Sequence, residues 1–352
     1  MSLDQTKFDA LLGKVVADLA AGYGGVMISL GDKLGLFRAM AGAGPLSSAE
    51  VARRAGCAER YVREWLNAQA AAGYVDYDPE NVTYELTAEQ ALVFGDASSP
   101  AYFLPAWQVV ASMWADEVKA IEAFRTGKGV AWGDHDQRLH CGVAGFYRNA
   151  YKGSLVPQWL PALDGVTTNL ERGIRVADVG CGHGHSTILM AEAYPNSRFV
   201  GFDVHAGSVA AARANAQAAG VADRVRFEVA RADDYPAEDY GLICFFDCLH
   251  DMGHPTAAAE HAAHALAEDG TVLLVEPFAH DRVEDNFTPV GRLYYSASTT
   301  MCCAHAISER GTHVLGAQAG EARLADIFAA AGFSRFRRAL ETPFNLVLEA
   351  RP

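Results

Sequence analysis

Two short segments hold the residue types best suited to chemistry. In Asp178-Val179-Gly180-Cys181-Gly182-His183-Gly184 an acid precedes three glycines at alternate positions, and the apolar run Ile174 to Val179 leads into them. Glycine lets a backbone turn sharply and leaves no side chain between it and a ligand. The apolar run reads as a strand buried on both faces. The helix predicted next, Ser186 to Ala193, would present free N–H groups at its start. Nineteen residues past Gly184, a second predicted strand, Arg198 to Phe202, runs into Asp203. An acid at that spacing, at the tip of the next strand, suits a ribose diol. The other segment is Phe246-Asp247-Cys248-Leu249-His250-Asp251-Met252, which follows a predicted fourth strand, and Leu274-Val275-Glu276-Pro277 ends a fifth. A histidine and a glutamate at the carboxyl ends of central strands stand where open α/β sheets bind ligands. Histidine can take a proton at neutral pH.

Two kinds of cofactor use such a layout. A dinucleotide site favours G-x-G-x-x-G, because the helix start must hold a pyrophosphate. Here the third glycine comes one residue early, and Asp178 precedes the first. A carboxylate beside the turn would repel pyrophosphate and suits a cationic or zwitterionic ligand. The D-x-G-x-G-x-G pattern resembles motif I of the Rossmann-like S-adenosylmethionine methyltransferases. That resemblance implies a cofactor held by Asp178, Gly180, Gly182, Gly184 and Asp203. It implies Asp233, after the third strand, as acceptor for the adenine amine, and Phe246 as a further cofactor contact.

The segments around His250 and Glu276 resemble small-molecule O-methyltransferases, in which L-H-D-W follows strand four and V-E-P follows strand five. The resemblance implies His250 as general base, Glu276 as the acid that orients it, and Asp251 in the same catalytic group. Met252 stands where that family has tryptophan, which points to a different substrate wall. The stretch Tyr61-Val62-Arg63-Glu64-Trp65-Leu66 is similar to mycobacterial-type winged-helix methyltransferases.

These residues need elements to position them. Residues 1–97 are expected to form a winged-helix unit. Helices are read at Phe8 to Ala20, at Val26 to Met40 with Leu30, Leu34 and Phe37 on one stripe, and from Ser48 to Arg54. Ser47-Ser48-Ala49-Glu50 is a capping-box signature. A helix from Glu59 to Ala72 has Tyr61, Val62, Trp65, Leu66 and Gln69 on its inner face, with Gly73 past its end. A hairpin follows, with its turn at Asp78-Pro79-Glu80-Asn81. Residues 98–170 read as an aromatic-rich helical linker that roofs a pocket. Residues 171–352 alternate strand and helix, which implies a parallel sheet with helices on both faces. Strands are expected at 174–179, 198–202, 225–229, 241–246, 271–275, 333–338 and 344–349. The short connection at Glu341-Thr342-Pro343 favours a closing antiparallel hairpin. The fold class is therefore α/β, and resemblance implies seven strands with the last reversed.

Composition excludes several roles. The 352 residues allow roughly two domains. No apolar run reaches the ~18 residues needed to cross a membrane, and Met1 to Ala10 lacks a signal-peptide core. The seven cysteines form no C-x-x-C pair and read as reduced thiols of a cytoplasmic protein. His250 and His254 lack the glutamate of H-E-x-x-H, so no metal is expected from spacing. Cys302-Cys303 with His305 could form a thiol site. Net charge is −14, which argues against nucleic acid and anionic membranes. Residues 1–100 carry eight Lys and Arg against thirteen Asp and Glu, a balance of −5. A DNA reader needs several phosphate contacts. The expected function is therefore methyl transfer from S-adenosylmethionine to a small aromatic or apolar acceptor, oxygen favoured, in a homodimer. In the resembling enzymes the winged unit makes the dimer interface and closes part of the substrate pocket. The alternative is a winged-helix DNA-binding regulator with S-adenosylmethionine as effector.

Overall fold

A computed structural model describes residues 3–311 and 313–352. The chain divides into two compact units, one running up to Ala111 and including Cys141–Asn149, the other made of Ser112–His140 and Ala150–Pro352. The stretch 98–170 is thus shared between them. It contains α6 (Leu104–Ala115), α7 (Glu117–Thr126), α8 (Gln137–Ser154) and α9 (Val166–Arg172), which follow the elements of the first unit.

In the first unit, α1 (Gln5–Lys33), α2 (Leu36–Met40), α3 (Ser48–Ala55) and α4 (Glu59–Ala71) precede the hairpin β1 (Asp76–Asp78) and β2 (Thr83–Glu85), and α5 (Ala88–Phe94) closes it. The capping box forms as expected, since Ser47 N–H donates to Glu50 while the Ser47 hydroxyl accepts from Glu50 N–H. On α4, Val62, Trp65, Leu66 and Gln69 are buried, but Tyr61 is 82% exposed, contrary to its expected inner position.

The first helix also departs from expectation. The two helices read at Phe8–Ala20 and Val26–Met40 are one 29-residue helix through Gly22, Gly24 and Gly25, and the break comes later, at Gly35 with φ 70°. Gly25 and Gly31 do not interrupt α1, because they let large rings approach it. A Cβ on Gly25 would lie 2.6 Å from the Trp107 ring, and one on Gly31 2.5 Å from Trp65. Phe37 is buried, whereas Leu30 and Leu34 are largely exposed, so the expected stripe does not form. By length and composition α1 is also apolar enough to cross a membrane, with a mean hydropathy of 1.4 in its best 18-residue window. This corrects the expectation that no segment would qualify. Its Ile28 is nonetheless packed in the winged core with Leu36, Phe37 and Trp65.

The second unit is built on a seven-stranded sheet: β3 (Arg175–Val179), β4 (Arg198–Asp203), β5 (Val225–Val229), β6 (Tyr240–Phe246), β7 (Leu266–Pro277), β8 (Arg335–Glu341) and β9 (Asn345–Arg351). Their order is β5-β4-β3-β6-β7-β9-β8. The first five are parallel, while β9 runs antiparallel to both neighbours and leaves β8 at the edge. The helices are α10 (His185–Ala193), α11 (Ala206–Ala218), α12 (Pro255–Ala265), α13 (Pro289–Thr300), α14 (Cys302–Ser308) and α15 (Glu321–Ala330). Val176, Ala177, Phe202, Ile243, Phe245, Leu274 and Leu348 are buried, as near-continuous apolar strands require. The strand order reverses between β3 and β6, and in open α/β sheets ligands bind at the carboxyl ends of the strands at such a switch point.

Candidate active site

The glycine turn leaves β3 at that switch point. Gly180, Gly182 and Gly184 all have positive φ, of 77°, 52° and 75°. They serve different purposes. A Cβ on Gly180 would lie 2.7 Å from Cys248 Sγ, and one on Gly184 2.5 Å from the Phe227 ring. Around Gly182 there is nothing within 4 Å, so this glycine faces open space. Gly182 therefore offers bare backbone to a ligand, whereas Gly184 packs α10 against β5.

Asp178 is fully buried at the base of the turn. Its Oδ2 accepts from the hydroxyls of Ser186 and Thr187, each at 2.6 Å, which ties β3 to the start of α10. Its Oδ1 has no hydrogen-bond partner among the described residues. Burial pushes the carboxyl up to about 6, against the pull of the two hydroxyls. A half-starved carboxylate at a glycine turn is suited to receive positive charge.

Asp203 does more than its position at the end of β4 suggested. Its Oδ2 accepts from Gly182 N–H at 2.9 Å and its Oδ1 from His205 N–H at 2.8 Å. It thus pins the glycine turn, and each oxygen keeps a second lone pair for a ligand hydroxyl. Burial raises its pKa, opposed by these two amides. Asp233, after β5, is gripped by Arg231 through Nε at 2.8 Å and Nη2 at 3.0 Å, and this pairing holds its pKa low. Phe246, at the end of β6, is buried against Tyr151 and Trp159, with ring centroids 5.4 and 6.3 Å away.

His250 and Asp251 sit on a single 3₁₀ turn, Leu249–Asp251, just beyond β6. Glu276, near the end of the adjacent β7, is buried, and its Oε2 lies 2.5 Å from His250 Nδ1. Its Oε1 accepts from Leu249 N–H at 3.0 Å, so one carboxylate fixes both the turn and the ring. On the other side of the ring, Asp251 Oδ1 is 3.0 Å from Nε2. That is an ion-pair distance, and this buried oxygen makes no hydrogen bond of standard geometry. Burial disfavours the imidazolium, yet the charges of Asp251 and Glu276 outweigh it and hold its pKa well above the usual histidine value. Behind the turn, Asn345 on β9 donates to both oxygens of Asp247, at 2.9 and 3.2 Å.

Other residues here carried no sequence signal. His135 Nδ1 pairs with buried Asp116 at 3.0 Å. His140 stacks on His205 at 4.9 Å with Trp132 edge-on, beside the Asp203 loop. His205 joins this group from 65 positions beyond His140. The Ser/Thr cluster at 296–300 offers no free row of hydroxyls, since Ser296 and Thr299 donate to carbonyls one turn back in α13.

Comparison with known proteins agrees with this construction. Residues 22–95 match the Rv2258c-like winged HTH domain, and residues 170–332 match the methyltransferase domain family. Among curated relatives, a Synechococcus protein is 33% identical over 99 residues, 27% of this chain and 24% of its own length. The 27-O-demethylrifamycin SV methyltransferase of Amycolatopsis mediterranei is 33% identical over 107 residues, 30% of this chain and 39% of its own. The chain therefore spans well under half the length of these relatives. Human N-acetylserotonin methyltransferase in complex with SAM superposes with a TM-score of 0.71 at 17% identity, covering 99% of this chain and 98% of that one. The O-methyltransferase NcsB1 from neocarzinostatin biosynthesis, with SAM and 2-hydroxy-5-methyl naphthoic acid, gives 0.62 at 19%, covering 96% and 97%. At such identities the structural likeness is one of fold. Residues 22–95 thus resemble a winged HTH domain and residues 170–332 a methyltransferase domain, on a sheet of the Rossmann-like methyltransferase order.

Proposed function

We propose that the protein transfers a methyl group from S-adenosylmethionine to a hydroxyl of a small aromatic or apolar acceptor, with His250 as general base. The observation that carries this reading is the juxtaposition at neighbouring strand ends. A bare glycine turn pinned by Asp203 leaves β3, and the Glu276–His250 pair stands at the ends of β6 and β7. Asp203 would bind the ribose diol, Asp178 the positive end of the cofactor, and Asp233 the adenine amine through a lone pair that Arg231 leaves open. The naphthoic acid bound by NcsB1 and the rifamycin substrate of the Amycolatopsis enzyme support a small, ring-containing acceptor. S-Adenosylmethionine supplies a methyl group on a sulfonium, already a good leaving group.

What limits an alcohol or phenol is its weak nucleophilicity while protonated. Glu276 holds Nδ1, so Nε2 is the nitrogen that takes the acceptor's proton. The charges of Asp251 and Glu276 raise the ring's pKa against the cost of burial, so these two carboxylates set how strong a base it is. Calorimetry tests the cofactor: saturable binding of S-adenosylmethionine and S-adenosylhomocysteine is expected, and binding of NAD instead would overturn the reading. For the base, His250→Ala should lower kcat by about 10²–10⁴-fold with cofactor affinity nearly unchanged. Glu276→Gln should do less harm. Full turnover by His250→Ala on the true acceptor would leave proximity alone as the source of catalysis.

The regulator reading is not favoured. Helix α4 balances two arginines with two glutamates, and Arg60 and Arg63 pair with Glu64 and Glu59 on the same helix. The exposed row Phe8, Leu11, Leu12, Val15 and Leu19 on α1 instead supports a homodimer. Seven free cysteines support a reducing, cytoplasmic setting.

A further inference from the structure

The acidic side of His250 holds a third group that the methyl-transfer reading does not use. Cys302, the first residue of α14, packs onto the 3₁₀ turn that carries His250 and Asp251. One ligand atom from each of His250, Asp251 and Cys302 lies within 4.8 Å of the other two. A tetrahedral zinc ion with bonds of about 2.0–2.3 Å needs ligand atoms roughly 3.3–3.8 Å apart, so the His250–Asp251 pair at 3.0 Å must open slightly and any wider separation in the cluster, all within 4.8 Å, must close.

Three further observations point to a cation. Asp251 Oδ1 is a buried oxygen with no hydrogen bond, facing Nε2 at 3.0 Å. Glu276 binds the far nitrogen of the same ring at 2.5 Å, which is the outer carboxylate that metal-binding histidines usually have. All the parts sit on fixed elements, namely a one-turn helix, a helix start and a central strand.

We propose that His250 Nε2, Asp251 Oδ1 and Cys302 Sγ form a three-ligand site for a borderline-soft divalent cation such as Zn(II), with Glu276 as the outer carboxylate. The two anionic ligands, once the thiol ionises, balance the charge of the ion. Thiolate and neutral imidazole are the ligating forms, so binding of the ion is coupled to proton release. The occupied lone pair on Nε2 is the one proton abstraction requires. On the methyl-transfer reading, which this consequence rests on, metal binding and catalysis therefore exclude each other, and the ion is an inhibitor rather than a cofactor.

Cobalt(II) titration of the full-length protein tests the site without acceptor or cofactor. Tetrahedral d–d bands and a thiolate-to-cobalt charge-transfer band are expected to saturate at one equivalent, with full reversal by chelator. Cys302→Ser should abolish the charge-transfer band, whereas Cys303→Ser should keep it, because Cys303 faces Ser298 at 3.4 Å instead. Glu276→Gln should weaken binding about 10–100-fold. Asp251→Asn should weaken it with the thiol intact, so a Cys302 variant that fails to fold does not leave the assignment open. No saturable band in the unmodified protein, or a band that survives Cys302→Ser, would overturn the proposal. Either result leaves methyl transfer standing, since that reading falls only with cofactor binding and the His250 kinetics.

Discussion

Adding one methyl group at each of two glycines in the same turn should separate stability from cofactor binding. Gly182 and Gly184 both have left-handed backbone, which costs a residue with a Cβ roughly 1–2 kcal/mol. For Gly182→Ala that is the whole structural penalty, because nothing lies within 4 Å of the new Cβ. For Gly184→Ala the Cβ would lie 2.5 Å from the Phe227 ring and 3.0 Å from Ala212 Cβ. Overpacking of this kind costs about 1–3 kcal/mol more, so the loss is about 2–5 kcal/mol in all. At 2–4 °C per kcal/mol for a unit of this size, Tm should fall by about 4–20 °C for Gly184→Ala and about 2–8 °C for Gly182→Ala. Binding should rank the other way. The Gly182 methyl stands where the ligand meets bare backbone, and a similar overpacking cost applied to the complex weakens binding about 5–150-fold. Scanning calorimetry gives the first ranking and isothermal titration with S-adenosylmethionine the second, below the lower Tm. Unchanged affinity in Gly182→Ala would refute the idea that the open side of this turn is the cofactor surface.

Other outcomes follow from the same geometry. Cofactor affinity should rise as pH increases through about 6, because the buried Asp178 carboxyl must ionise to meet the sulfonium or ammonium. The gain from pH 5 to 7 is about tenfold, and Asp178→Asn should flatten it in a titration series. The same raised pKa means the folded state holds a proton that the unfolded chain releases near 3.8. This group therefore costs stability progressively between pH 3.8 and about 6, and does so fully above that. For transfer to a hydroxyl, the acid limb of kcat/KM should lie above the ordinary histidine value, and Asp251→Asn should move it to lower pH. An unmoved limb would remove Asp251 from any role in setting the basicity of His250. If the chain dimerises through α1 as proposed, deleting residues 1–20 should give a monomer by light scattering, and a dimer that persists would place the interface elsewhere.

The sheet was legible because most strands are short apolar runs set off by turns, several with a helix after them, although β5 leads to β6 without a helix and β8 carries Arg335, Arg337 and Arg338. The chemistry-bearing ends of β3, β4, β6 and β7 followed from the same pattern. What the sequence hid was decided by contacts between distant residues. Gly22, Gly24 and Gly25 look like helix breakers, yet α1 runs through them, and the close approach of Trp107 accounts for Gly25. Gly184 belongs to the motif by spacing but is explained by Phe227, 43 positions on. Asp203 reads as a ligand acid, and only the fold shows that it also anchors Gly182. Cys302 comes to Asp251 across 51 positions, which no local spacing rule would catch.

The length of α1 has a thermodynamic consequence. Of its 29 residues only Ile28 and Gly31 are buried, so most of the helix is solvated within one chain. Isolated helices in water shorter than about 12–15 residues are marginal, and α1 meets the apolar core only in its last three turns, from about Gly25 on. In a lone chain its amino-terminal half should therefore exchange between coil and helix, and a second chain covering Phe8 to Leu19 would tip that balance. Folding of this segment and association then become one equilibrium. The amide exchange rates of residues 5–20 should depend on protein concentration, while those of the central strands should not.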